Sequence, residues 1–280
     1  MSVQHQAVRA YLAVTGAGRP WRSAEALDRA IARRRERPTN RPKPSPGVSV
    51  TRTEDDGWTI VRLVPPRPAG SVVALHGGAY LFGPESQHWA LWRTIAVASS
   101  RTVVVPLYRR APEGTAAETV PRVTEIVRRL AEEGPVAMLG DSAGGGMALA
   151  AAQLLAVDGL QPPLLLSAPW LDGAVPAPWT TPRDHWLGAP GLRRAAELYR
   201  GELPVEHPFV SPIKGDLRGL GPIVAASGTR DVLHRDTLWL EERCPSPVQV
   251  LTGEGLLHNY PLLPIPEARP VLRAWVDALR

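Results

Sequence analysis

Only one cysteine, Cys244, occurs in 280 residues. That excludes an internal disulfide framework and any multi-cysteine metal site, and it fits a reducing compartment. Lysine is nearly as scarce: 30 of the 32 basic residues are arginine, spread widely along the chain. A net charge of +5 suits a nucleic-acid partner only where it is concentrated. The one dense run, Arg33-Arg34-Arg35-Glu36-Arg37, has no DNA- or RNA-binding motif beside it and reads as a solvated helix end. No stretch of 18 apolar residues occurs, so no membrane span is expected. Met1 to Leu12 lacks the basic patch and apolar core of a secretory signal, which makes the cytoplasm the expected location. Neither G-x-G-x-x-G nor G-x-x-x-x-G-K-[ST] occurs, so nucleotide binding is unsupported. There is no internal repeat, and nothing calls for a cofactor or metal.

What is present is a large apolar fraction, 44% of the chain. It suffices for one large α/β domain, alone or with a small cap. Residues 1–37 read as two helical segments broken at Pro20. The second begins behind Ser23, a good N-cap, and puts Ala26, Leu27, Ala30 and Ile31 on one face. Four prolines within residues 38–47 read as an extended linker. Two strand-like runs, residues 48–51 and 58–63, flank Asp55-Asp56-Gly57 and predict a hairpin. Apolar runs at 72–75, 103–105, 136–139 and 164–166 then alternate with helical stretches near 86–99, 116–133 and 143–156. Strands at 223–226 and 248–251, with helices near 234–243 and 267–279, bring the strand count to eight. This alternation predicts a mostly parallel, doubly wound sheet behind an antiparallel hairpin. Residues 170–205 break the rhythm with Trp170, Trp179, Trp186 and several prolines, as a lid or binding loop does.

One pentapeptide carries chemistry. Gly140-Asp141-Ser142-Ala143-Gly144 fits G-x-S-x-G and lies between a buried strand and a small-residue helix. A strand-to-helix turn that sharp forces its serine into strained angles and tolerates only small neighbours two positions away. A serine hydroxyl is a weak nucleophile without a base and an acid to orient that base. In chain order the acid candidate is Asp231, directly after the strand at 223–226; Asp236 and Glu241 are rivals inside the next helix. A lone Asp at this point also suits a plain helix N-cap. The base candidate is His258, after the last strand. Its rival His234 lies too close in sequence to Asp231 and reads as a solvent-facing or capping residue. Donors for a developing oxyanion are expected from the Ala143 N–H and from the loop His76-Gly77-Gly78-Ala79-Tyr80, with His76 holding that loop in place.

These pieces resemble the hormone-sensitive-lipase-like esterases of the α/β-hydrolase superfamily. The resemblance rests on His76-Gly77-Gly78-Ala79-Tyr80, Tyr108-Arg109-Arg110-Ala111-Pro112-Glu113, Gly140-Asp141-Ser142-Ala143-Gly144-Gly145, His207-Pro208-Phe209-Val210-Ser211-Pro212, Gly228-Thr229-Arg230-Asp231-Val232-Leu233 and the segment around His258. They follow the family order over about residues 70–262. The resemblance implies an α/β-hydrolase fold with an eight-stranded, mostly parallel sheet and a helical cap. It implies Ser142, Asp231 and His258 as a triad, and Gly77, Gly78 and Ala143 as oxyanion donors. Ala79 stands where the family often has a third glycine, and Arg110 replaces a usual apolar residue.

On this reading the cap comprises residues 1–47 and 170–205, and the core comprises 48–169 and 206–280. The expected activity is hydrolysis of small esters with short- to medium-chain acyl groups through an acyl-enzyme. An aryl-formamidase, a biosynthetic deacetylase and a non-catalytic ligand-binding protein on the same scaffold are the alternatives. Tyr80, Phe82, Trp179 and Trp186 are the expected substrate-pocket residues. The partner is then a small-molecule ester, with no nucleic acid. Because relatives often pair through the edge strand or the final helix, a homodimer is the implied assembly.

Overall fold

The alternating apolar runs become one eight-stranded sheet. In the computed structural model, residues 1–35, 41–42, 46–176, 184 and 186–280 are described. Strands β1 (Ser49–Asp55) and β2 (Trp58–Val64) form the expected hairpin. Its turn residues Asp56 and Gly57 both have positive φ, 47° and 76°. That is the geometry a two-residue hairpin needs to match the strand twist. Strands β3 (Ser71–Leu75), β4 (Thr102–Leu107), β5 (Val136–Asp141), β6 (Leu164–Ser167), β7 (Ile223–Gly228) and β8 (Val248–Gly253) follow. The order across the sheet is β1-β2-β4-β3-β5-β6-β7-β8. Only β2 runs antiparallel to its neighbours; the pairs from β4 to β8 are parallel.

Helices cover both faces, as parallel strands require. On one face α3 (Ser86–Ser99) and α8 (Ala268–Ala278) bury Trp92, Ile95 and Trp275 against Val103, Leu139 and Leu165. On the other, α4 (Ala116–Glu133), α5 (Ala143–Val157) and α7 (His234–Arg243) bury Val123, Met147 and Leu240 with Met138 and Leu166. Helix α5 is buried almost all round. Its run of Gly, Ala and Leu has no polar face to offer water, and small residues let it lie close under the sheet. Trp58, Trp92, Trp170 and Trp275 are essentially solvent-free. Each removes on the order of 150–250 Å² from water, about 4–6 kcal/mol before chain entropy is subtracted.

The N-terminal segment is anchored at two places. Ser23 caps α2 (Ala24–Arg35), accepting from the Ala26 N–H at 3.2 Å. Leu27 and Ile31 of the expected apolar face are buried. Trp21, in a 3-10 turn before α2, packs beneath α6 (Ala189–Arg200), where a side chain at Gly191 would meet the Trp21 backbone. Asp28 pairs with Arg194 of α6 at 3.1 Å. Helix α1 (Val3–Thr15) is tied instead to the loop after β8 and to the start of α8. The Ser2 hydroxyl donates to Glu267 at 2.8 Å, and buried His5 accepts the Leu257 N–H at 3.3 Å through Nε2. Arg33 is exposed, while Glu36 and Arg37 of the basic run lie outside the described residues. No described helix is long and apolar enough to cross a membrane.

Candidate active site

Strand β5 ends at Asp141 and α5 begins at Ala143, leaving Ser142 alone in the turn. Its φ of 52° and ψ of −119° lie far from ordinary backbone for a residue with a Cβ. Such a conformation costs on the order of 1–3 kcal/mol and persists only when its surroundings enforce it. Here the Ser142 N–H donates to the Ser167 carbonyl at 2.8 Å, and the Ser142 carbonyl accepts from Trp170 at 2.9 Å. A Cβ on Gly144 would collide with the Leu75 carbonyl of β3, and one on Gly140 with the Gly144 carbonyl. The two glycines are therefore required by close backbone approach. Ala143 is the first residue of α5, so its N–H has no partner within the helix.

Asp231 and His258 meet across two loops. The His258 Nδ1 lies 2.8 Å from Asp231 Oδ2, while Asp231 Oδ1 accepts the Leu233 N–H at 2.8 Å. A carboxylate can only accept, so Nδ1 carries the proton and Nε2 keeps its lone pair. Both residues are buried. Burial alone would lower the His258 pKa, but the Asp231 charge and hydrogen bond, then Asp184 and Asp141, hold it above the ordinary 6.5. The rival residues have other roles. His234 Nδ1 lies 2.7 Å from the Ser227 hydroxyl. Asp236 accepts the backbone N–H groups of Leu171 and Asp172 at 2.7 and 3.1 Å, and burial pushes its pKa well up. Glu241 is exposed on α7.

A residue that the sequence did not single out joins these parts. Asp141, the variable position of the pentapeptide, is buried. Its Oδ1 accepts the Gly77 N–H at 3.0 Å. Its Oδ2 accepts from Asn259 Nδ2 at 2.8 Å and lies 3.3 Å from His88 Nε2. Burial by itself would raise the Asp141 pKa; the His88 charge and hydrogen bond, with the Gly77 N–H, bring it below the ordinary carboxylate value. Asn259 also accepts from the Ser167 hydroxyl at 3.0 Å. Asp141 thus ties the serine turn to the glycine loop, to α3 and to the loop bearing His258. The available signal was a carboxylate at the end of a buried strand, which must find partners.

The glycine loop differs in one respect from expectation. Because Asp141 takes the Gly77 N–H, that group is already occupied. The next two residues turn left-handed, Gly78 at φ 105° and Ala79 at φ 52°, and their N–H groups meet no acceptor among the described residues. His76 sits behind them. Its Nδ1 donates to the Gly77 carbonyl at 2.7 Å, and its ring stacks on Tyr108 at 4.1 Å. Burial brings its pKa down to about 4, so it is a neutral support for the loop.

The four expected pocket aromatics separate. Trp186 stands edge-on to the His258 ring at 5.8 Å. Tyr80 is buried and stacked on Tyr199 at 3.5 Å, and the Tyr199 hydroxyl lies 2.8 Å from that of Thr119. Phe82 packs edge-on to Trp21 at 6.2 Å. Trp179 lies outside the described residues. Arg110 is half-buried and lines, with Arg52 and Arg109, a groove of about 810 Å³ beside His76 and Tyr108; neither Ser142 nor His258 lines it.

A parallel sheet ending in a strained serine turn, with a buried Asp–His pair after its last two strands, defines the α/β-hydrolase class. A family described as having the alpha/beta hydrolase fold matches residues 72–262. The chain belongs to that family, and its curated relatives are named as a lipase, acetyl-hydrolases and esterases. It is 34% identical over 227 residues to a triacylglycerol lipase of Mycobacterium tuberculosis, a match covering 78% of this chain but only 48% of the lipase. It is 35% identical over 210 residues to an acetyl-hydrolase of Streptomyces hygroscopicus, covering 69% of this chain and 70% of that protein. Among solved structures, an esterase from the bacterial hormone-sensitive lipase family superposes with a TM-score of 0.84 at 23% identity, over 100% of this chain and 98% of the other.

Proposed function

We propose that the protein is a serine carboxylesterase that works through an acyl-enzyme. The observation that carries this reading is the hydrogen-bonded Asp231–His258 pair, tethered through Asn259 and Asp141 to the strained turn that presents Ser142. His258 Nε2 takes the hydroxyl proton as Ser142 Oγ attacks the ester carbonyl, and the carbonyl electrons move onto oxygen. Asp231 fixes the imidazole tautomer and stabilises the imidazolium. Gly77 has given its N–H to Asp141, so the proposed oxyanion donors are Gly78, Ala79 and Ala143. The imidazolium returns the proton to the leaving alcohol. A water deprotonated by His258 then cleaves the acyl-enzyme, freeing the acid and restoring Ser142.

Residues 1–47 and 170–205 are proposed to act together as a cap over this site. The packing of Trp21 and Asp28 against α6 supports that grouping. Trp186, beside His258, is the proposed wall of the substrate pocket. Short- to medium-chain acyl esters are the proposed substrates. The acetyl-hydrolase relative makes acetyl esters and N-acetyl amides part of the same test. Purified protein is assayed with nitrophenyl esters from acetate to laurate, beside an aryl amide. Hydrolysis should favour the shorter esters, and Ser142→Ala should lower kcat by roughly 10⁴–10⁶. Near-full activity in the Ser142→Ala protein would sink the assignment.

A further inference from the structure

Asp184 stands just before α6 and is half-buried. Oδ1 accepts the Trp186 and Leu187 N–H groups at 2.7 and 2.9 Å. Taken alone this is an Asx turn, a common local device. The other oxygen makes it unusual. Oδ2 accepts the N–H of Val232, 48 residues away, at 3.0 Å. Val232 directly follows Asp231, and the next amide, Leu233, donates to Asp231 itself. Two successive amides of one turn are thus divided between two carboxylates, one from each side of the site.

We propose that Asp184 is a positioning residue of the active site: it clamps the segment carrying Trp186 onto the turn after Asp231 and adds a second negative charge in the neighbourhood of His258. The inference rests on the esterase reading and deepens it. The clamp accounts for the place of Trp186, whose ring meets the imidazole edge-on at 5.8 Å. It also brings like charges together. Burial first, then the Asp231 charge, raises the Asp184 pKa, while the Val232 and Leu187 amides and His258 oppose the rise. Among the described residues, these are the groups that face it from the turn after β7, the loop after β8 and its own segment. Neighbouring carboxylates are relieved by a nearby cation. The cation that catalysis generates there is the His258 imidazolium, so Asp184 favours the state in which the base has taken the Ser142 proton.

Asp184→Asn tests this. The side-chain oxygen can still accept from Trp186 and Leu187, but the amide group cannot accept from Val232, and the charge is gone. Removing a negative charge near His258 lowers the pH at which the imidazole titrates. The acid limb of kcat/KM should therefore move to lower pH, and kcat should fall roughly ten- to a hundredfold. NMR titration of His258 should show the same downward movement without any substrate. An acid limb and an imidazole titration that both stay at their wild-type pH overturn the proposal, even if activity falls. A wild-type protein that hydrolyses no ester defeats the esterase reading instead, and the NMR titration still decides the role of Asp184. If Asp184→Asn does not fold, Trp186→Leu tests the clamp: KM should rise several-fold with the acid limb unmoved, and an unchanged KM overturns it.

Discussion

Asn259 donates to Asp141 at 2.8 Å across 118 residues of sequence, and each is the immediate neighbour of a proposed triad member. The bond holds the loop after β8 to the end of β5. It leaves both reactive side chains free, because the contact is made by the residues beside them. Asn259→Ala should cost about 1–3 kcal/mol of stability, the penalty for leaving a buried acceptor short of a partner. It should also slow labelling of Ser142 by a fluorophosphonate by roughly a hundredfold, the scale set by misplacing reacting groups. Unfolding in urea and the labelling rate read the two effects separately. A labelling rate equal to wild type would show that the tether does not position the base.

The acid limb of kcat/KM should lie above pH 6.5. His258 must be neutral to accept the serine proton, and its folded-state pKa is held above the ordinary value by Asp231, Asp184 and Asp141 against the effect of burial. Activity is therefore lost as pH falls through that raised value. Asp231→Asn removes the largest of these charges and the tautomer lock, so it should lower kcat by about 10⁴. Rate profiles of the two proteins between about pH 5 and 9 check both statements. A wild-type limb well below 6.5 contradicts the first.

Protein stability should carry the signature of the His88–Asp141 pair. The His88 pKa is raised: burial acts to lower it, but the Asp141 charge and hydrogen bond prevail. Its contribution is full below the ordinary 6.5 and is lost as pH rises through the folded value. The Asp141 pKa is lowered, so its contribution is present above the ordinary 3.8 and is lost as pH falls through the folded value. The pair thus stabilises most between those limits. The Tm gap between wild type and His88→Asn should be larger at about pH 5.5 than at about pH 8.5. An equal gap at both would mean that the pair is not charged in the folded protein.

Two glycine substitutions separate close approach from backbone angle. Gly144→Ala drives a Cβ into the Leu75 carbonyl, where no flexible side chain can yield. It should cost at least the 1–3 kcal/mol typical of overpacking and disturb the serine turn. Gly159→Ala meets open space and bears only its positive φ of 75°, about 1–2 kcal/mol. Thermal melts and esterase rates should show Gly144→Ala weakened in both and Gly159→Ala weakened only in stability. Comparable activity losses would mean that the turn tolerates the clash.

Local pattern made the sheet legible. Apart from the polar, exposed β1, the strands are short runs rich in apolar residues and the helices periodic or small-residue stretches, and both depend on neighbours close in sequence. The elbow was legible because its glycines obey a steric rule within five residues. The oxyanion loop was legible only in part. Consecutive glycines announce available N–H groups, yet the choice among them depends on Asp141, 64 residues away, which occupies Gly77. Tyr80 shows the same limit: an aromatic beside a glycine loop suggests a pocket wall, but its ring is stacked on Tyr199 of α6. Asn259 and Asp184 were not singled out because nothing local distinguishes an amide or carboxylate with distant partners from one that faces water; for Asp141 the buried strand before it announced a need for partners but not which ones.

The docking of α1 has a practical consequence. Ser2 is fastened to Glu267, and His5 holds the amide of Leu257, the residue before His258. A fusion partner or surface linker attached ahead of Met1 pulls on this helix, and the pull is delivered one residue from the imidazole. Immobilisation through Arg280, beyond α8, does not pull on α1 or on the His5–Leu257 bond directly.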